Sequence, residues 1–186
     1  MKPYHILSCN YLADIQQQVI TWIENKHRQV TKSKALWNKI DTLDLLKSSP
    51  ALIKYFGSLD LKLREASLTV IPEPKKINLH IDEMPVTAKI NIPIMNTTDT
   101  YNRWYKVPKH IMESTEPIVN KFGNKFYNFE DIDYSALELV AEVETIEPMV
   151  FNSQIAHNIV LGKNSILPRI VLACTFFNEP IQYLKN

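Results

Sequence analysis

The sequence predicts a mainly β fold (α+β), an antiparallel double-sheet barrel braced by N-terminal helices. Three observations predict it. Helical spacing of apolar residues is confined to residues 1–58. From Leu59 onward the chain changes to seven or eight short stretches of alternating or β-branched residues, punctuated by proline and turn residues. The three glycines, Gly57, Gly123 and Gly162, cannot form a glycine-rich phosphate loop, which weighs against a nucleotide-binding α/β fold.

The elements follow in order. In "SCNYLADIQQQVITWIENKHRQ", Leu12, Ile15, Val19, Trp22 and Ile23 recur at helical spacing and Asn10 is placed to cap them. "ALWNKIDTLDLLKSS" reads as a second helix. "SSPALIKYFGS" reads as a third, with Ser49 as cap, Pro50 in the first turn and Gly57 at its end. "DLKLREASLTVIPE" is strand-like. "KINLHIDE" and "TAKINIPIMN" alternate, the latter with Lys89 and Asn91 on one face and Ile90, Ile92 and Ile94 on the other. "YNRWYKVP" and "LELVAEVETIEPMVFN" supply further strands. "AHNIVLGKN" and "PRIVLACTFFN" read as two more, joined by a turn at Gly162, Lys163 and Asn164. Residues 110–133 are loop-like, with turn signals at Gly123 and Asn124. The 186 residues suit a single domain over 1–186, with a helical bracing segment at 1–58 and the β core at 59–180.

Composition excludes several classes. Hydrophobic residues make up 45% and charged residues 22%, as in ordinary globular proteins, and a formal charge of +1 carries no nucleic-acid signature. No apolar run reaches membrane-spanning length, and "MKPYHILSCNYLADI" lacks the apolar stretch of a secretory signal. Cys9 and Cys174 are far apart and lack metal-type spacing, so a reducing cytoplasm is the expected compartment.

The residues that suggest chemistry begin with His80 and Asp82, which share a strand face. His157 lies 75 residues later on another strand, and Arg169 follows in the otherwise apolar "ILPRIVLACTFF". Two imidazoles and a carboxylate are the ligand set of facial-triad non-haem Fe(II) sites. A guanidinium in an apolar strand is costly unless it meets an anion, and its fork fits a carboxylate. Structural readings stand beside these: a surface pair for His80 and Asp82, a core histidine bonded to a backbone carbonyl for His157, and an internal salt bridge for Arg169. His5, His27 and His110 have no acidic residue two positions on and read as surface or packing residues.

"HIDE", "AHNIVLG" and "PRIVL" resemble the His-x-Asp, distal His and trailing Arg of the 2-oxoglutarate/Fe(II)-dependent oxygenases. The closer resemblance is to the aspartyl/asparaginyl β-hydroxylase-like branch, where a basic residue follows the metal His nine positions on, as Lys89 follows His80. The resemblance covers residues 60–178. Two departures stand out: the branch often lacks the metal carboxylate that Asp82 supplies here, and its basic residue is typically Arg.

The resemblance implies a double-stranded β-helix, the jelly-roll or cupin-like barrel. It also implies an oxidoreductase: a non-haem iron dioxygenase with Fe(II), 2-oxoglutarate as co-substrate and O2. In it His80, Asp82 and His157 bind the metal and Arg169 holds the far carboxylate of 2-oxoglutarate, while Lys89 and Asn91 orient its 1-carboxylate or a substrate group. Asn78, on the His80 face, is a weaker candidate. The reaction would hydroxylate a C–H bond of an amino acid, peptide side chain or small metabolite, releasing succinate and CO2. "NTTDTYNRWYKVP" could form a lid, with Arg103 and Trp104 touching substrate, and residues 110–133 a second element of the mouth. Two rivals stand: a cupin-like metalloenzyme that does not use 2-oxoglutarate, and a non-catalytic jelly-roll binding module.

Overall fold

The computed structural model describes residues 1–82, 85–119 and 125–185. Strand β1 (Tyr4–Ile6) precedes helix α1 (Leu12–Lys26), a 3-10 turn at Arg28–Lys32 and strand β2 (Trp37–Lys39). Helices α2 (Thr42–Ser48) and α3 (Pro50–Ser58) follow, then β3 (Leu63–Ile71), β4 (Leu79–Ile81), β5 (Ala88–Met95) and β6 (Thr100–Lys106). Helix α4 (Lys109–Ser114) leads into β7 (Ile118–Val119), β8 (Lys125–Phe129), β9 (Glu138–Glu144), β10 (Met149–Asn152), β11 (His157–Leu161) and β12 (Arg169–Phe176).

Of the stripe predicted for α1, Ile15, Val19, Trp22 and Ile23 are buried and Leu12 is partly buried at the helix start. Its cap differs, because Tyr11 rather than Asn10 takes the N-cap position and no side chain caps the helix. Ser49 does stand at the start of α3, but its hydroxyl donates to Gln18 Oε1 at 3.0 Å, and the same oxygen accepts from the Ala51 N–H at 3.1 Å. Gln18 therefore satisfies an orphan donor of α3 and ties that helix to α1. Gly57 lies inside α3, which ends at Ser58. The helix expected over residues 35–49 is half a strand. β2 pairs with the edge of β3, and only from Thr42 does the chain turn helical, where Asp41 accepts from the N–H groups of Leu43 and Asp44.

The strands form two six-stranded antiparallel sheets. The first has the order β1-β10-β5-β12-β3-β2 and the second β7-β8-β4-β11-β6-β9. The chain crosses repeatedly between them, so β11 and β12 do not pair as a hairpin. β11 lies between β4 and β6, and β12 between β3 and β5. The loop after Leu161 is a corner between sheets, pinned by Asp99, whose carboxylate accepts from the Asn164 N–H at 2.7 Å.

Period-two patterning decides which side chains meet. On sheet one, Leu68, Val70, Ile90, Ile92, Ile170 and Leu172 pack under the N-terminal helices with Ile15, Val19 and Leu52. The alternate residues, including Lys89, Asn91 and Arg169, therefore face sheet two. On sheet two, His80, Trp104 and His157 face inward. Leu79, Ile81 and Tyr105 face outward under Ile111, Met112 and Tyr134. Of the segment read as a loop-like mouth element, Ile111 and Met112 of α4 pack on the outer face of sheet two and β7 and β8 extend that sheet as strands, while the turn signals at Gly123 and Asn124 lie outside the described residues.

Candidate metal centre

His80 and His157 are Cα partners across the β4–β11 ladder, which brings their ring centroids to 4.3 Å. Each ring is oriented by the same local device. Nδ1 of His80 lies 2.9 Å from the Asn78 carbonyl, and Nδ1 of His157 lies 2.8 Å from the Ile155 carbonyl. A carbonyl can only accept, so each Nδ1 carries a proton and Nε2 is the nitrogen left to face a metal ion, the orientation a metal-ligating imidazole needs. The packing of Trp37 against His80 and of Phe151 against His157 restrains both rings.

Asp82 follows the end of β4, its N–H donating to the Ser153 carbonyl at 3.0 Å. Its Oδ1 lies 3.8 Å from His80 Nε2 and its Oδ2 3.7 Å from His157 Nε2. One ligand atom from each of the three residues falls within 4.8 Å of the others. Two imidazoles and a carboxylate suit a divalent first-row ion and leave coordination positions open. His157 therefore has both the carbonyl partner of a core histidine and the free Nε2 of a ligand.

Lys89 reaches in from β5 and places Nζ 2.7 Å from Asp82 Oδ2. Burial pushes the Asp82 carboxyl up. Lys89, His157 and His80 together outweigh that and hold the carboxyl well below the usual carboxylate range. Burial pushes the His157 imidazole down to about 3, with His80 acting in the same direction and Asp82 partly opposing it. An unfolded histidine titrates near ~6.5, so between about pH 6.5 and about pH 3 the unfolded chain binds a proton that the folded one refuses. Stability then falls as the pH drops through that window. In chelator-treated protein, urea unfolding at about pH 5 is expected to show about 2 kcal/mol less stability through His157 than at about pH 7.5. His157→Asn is expected to remove that share of the pH dependence.

Arg169 opens β12 with 1% of its surface exposed. Its Nε donates to Thr100 Oγ1 at 3.0 Å and its Nη2 to Thr145 Oγ1 at 3.2 Å, while the buried Nη1 has no protein partner. The internal salt bridge that would have explained Arg169 structurally is absent among the described residues. Burial pushes the guanidinium down to about 10, which leaves it charged at neutral pH. Both threonines are held in turn: Thr100 Oγ1 donates to the Thr97 carbonyl at 2.7 Å, and Thr145 Oγ1 accepts from Asn102 Nδ2 at 2.8 Å. Asn91 shares the inward face of β5 with Lys89, and its Oδ1 is buried without a partner. The inter-sheet face thus carries an unused guanidinium donor, which fits an anion, and an unused amide acceptor, on the strand side that the His80, Asp82 and His157 cluster also faces.

Arg103 and Trp104 do not form a lid. Their segment is strand β6, and its parity separates them. Trp104 faces inward, fully buried, with Nε1 donating to the Asn152 carbonyl and its ring against Phe151. Arg103 faces outward and pairs with Glu142. It borders a cavity of about 590 Å³ also lined by Lys76, Tyr105, Tyr134 and Asn158, on the opposite side of β11 from the imidazoles. Asn78 contributes its carbonyl to His80. Sequence reasoning missed Thr100, Thr145, Phe151 and Trp37.

No protein-family model matches the chain, and no curated protein does. Solved structures do match. A non-haem monooxygenase, ThoJ in its apo form, aligns over 93% of this chain and 73% of its own at a TM-score of 0.52 and 16% identity. HygX from Streptomyces hygroscopicus, solved with nickel and 2-oxoglutarate bound, aligns over 93% of this chain and 81% of its own, at a TM-score of 0.52 and 11% identity. This chain has their fold. Identities this low carry the oxygenase-like architecture alone, since one fold hosts many chemistries. Among the described residues no helix is long and apolar enough to cross a membrane.

Proposed function

We propose that this protein is a non-haem Fe(II), 2-oxoglutarate-dependent oxygenase. In this reading it hydroxylates a C–H bond of an amino acid, peptide side chain or other small metabolite and releases succinate and CO2. One observation carries the reading. A His–Asp–His donor set and a buried guanidinium with an unpartnered Nη1 face the same inter-sheet space. The strand order supports it. β10-β5-β12-β3 facing β4-β11-β6-β9 fits an eight-stranded jelly roll, the double-stranded β-helix, with β1, β2, β7 and β8 added at the edges. Lys89, nine residues after His80, favours the aspartyl/asparaginyl β-hydroxylase-like branch. The whole of 1–186 acts as one unit in this proposal, because the helices cover the outer face of the sheet that carries Arg169 and Lys89.

His80, Asp82 and His157 would hold the ion. Bound Fe(II) with 2-oxoglutarate supplies the O2 activation and the oxidising power for C–H cleavage. The chain supplies orientation. Arg169 Nη1 receives the far carboxylate, with Thr100 and Thr145 fixing the guanidinium plane. Asn91 and Lys89 orient the carboxylate end nearer the metal. Trp104, Met149 and Phe151 form a dry wall beside His157.

The test is an anaerobic titration of metal-free protein with Fe(II) and then 2-oxoglutarate, followed by visible absorption. A charge-transfer band that needs both additions is the expected result. Metal binding without a band favours a cupin-like metalloenzyme that does not use 2-oxoglutarate. No metal binding favours a non-catalytic jelly-roll module.

A further inference from the structure

Lys89 stands where it competes with the ion that the site is built to hold. Its ammonium lies 2.7 Å from Asp82 Oδ2, and that same oxygen faces His157 Nε2 at 3.7 Å. Two cations sharing one carboxylate oxygen repel each other, so a divalent ion drawn to Oδ2 acts to expel the ammonium. The exit is easy, because a lysine head moves on a flexible four-carbon stem while β5 stays in place. A new partner is also nearby: two residues along the same face of β5, the Asn91 Oδ1 is buried and unpartnered.

Building on the metal-centre reading, we propose that Lys89 is a displaceable resident cation. It balances Asp82 in the metal-free protein, yields Oδ2 to the entering divalent ion and then binds, with Asn91, an anionic donor group of the organic ligand at the metal. Lys89 is then a positioning residue for metal entry and a binding residue for a carboxylate. The opposing possibility is a permanent hydrogen-bond partner that orients Asp82 as a ligand, and the two differ in sign. Removing a permanent outer partner weakens metal binding by about 10–100-fold. Removing a competitor strengthens it.

The experiment uses the full chain, Mn(II) as the metal and oxalate as the anion, at about pH 7.5. Oxalate chelates a metal but has no distal carboxylate for Arg169, so it reads the near-metal end alone. Calorimetric titration compares wild type with Lys89→Met and Lys89→Gln, the second variant guarding against a folding defect specific to Met. Mn(II) is expected to bind both variants about tenfold more tightly than wild type, a low-end effect for a unit charge at this distance. The midpoint of thermal unfolding is expected to fall in the metal-free variants, with saturating Mn(II) closing most of the gap. Oxalate is expected to bind the Mn(II)-loaded variants about tenfold more weakly. Unchanged or weaker Mn(II) binding by the variants overturns the displaceable cation, and unchanged oxalate binding overturns the role toward the anion. Failure of wild type to bind Mn(II) overturns the metal-centre reading and this proposal with it.

Discussion

Arg169→Met is expected to lower the affinity of the metal-loaded protein for 2-oxoglutarate by about 100-fold or more, while leaving metal affinity intact and stabilising the metal-free fold. The two effects share one cause. The guanidinium is 1% exposed and meets only two hydroxyl oxygens, with no carboxylate partner among the described residues. Removing a charge from water and leaving it without a counter-ion costs several kcal/mol, and two neutral hydrogen bonds do not restore that. Methionine fills similar space without the charge. The threonines it abandons keep partners, Thr100 through the Thr97 carbonyl and Thr145 through Asn102. The gain on urea unfolding is expected to be about 1–4 kcal/mol. The loss of about 3 kcal/mol in ligand binding reflects a buried charge-assisted pair made only when an anion arrives. Unchanged 2-oxoglutarate affinity together with a destabilised fold would make Arg169 a structural residue and return the protein to the rivals that do not use 2-oxoglutarate.

What the sequence shows of this site is its parity. Alternation in "AKINIPI" separates Lys89 and Asn91 from Ile90 and Ile92, and alternation in "PRIVLACTFF" puts Arg169 opposite Ile170. Both separations hold because one face of sheet one is fixed against the helices. The residues that steady Arg169 are another matter. Thr100 and Thr145 are 45 positions apart, carry no local signal, and become partners of Arg169 only when strand corners from two sheets meet. The strands β1 and β2 were also invisible, because three residues are too few for a period and their identity comes from edge pairing. "ALWNKIDTLDLLKSS" reads as helical locally, yet its first half is captured by β3, a tertiary preference overriding a local one. Arg103 and Trp104 have no reference face in the sequence that tells which of them points inward. Once Trp104 is known to pair with His157, its neighbour must point away.

Asp82→Asn is expected to show the opposite balance, losing metal binding and stability together. The substitution keeps the shape of the side chain and removes its charge. Metal affinity should fall by at least about 100-fold, because a hard carboxylate donor becomes a neutral amide beside two imidazoles. Stability should fall as well, since Lys89, with only a fifth of its side chain exposed, loses its counter-charge. Removing one partner of a buried pair costs about 3–5 kcal/mol, and the partial exposure of Lys89 places this case near the lower end. The pair can be separated from the rest of the fold by a double variant. Asp82→Asn with Lys89→Met deletes both charges, so it should be more stable than Asp82→Asn alone, with a coupling energy of about 1–3 kcal/mol on urea unfolding of the metal-free proteins. Additive losses would show that the 2.7 Å contact contributes nothing to the metal-free fold. In that case Asp82 would be held in place by its backbone bond to Ser153 and by the packing of the two rings.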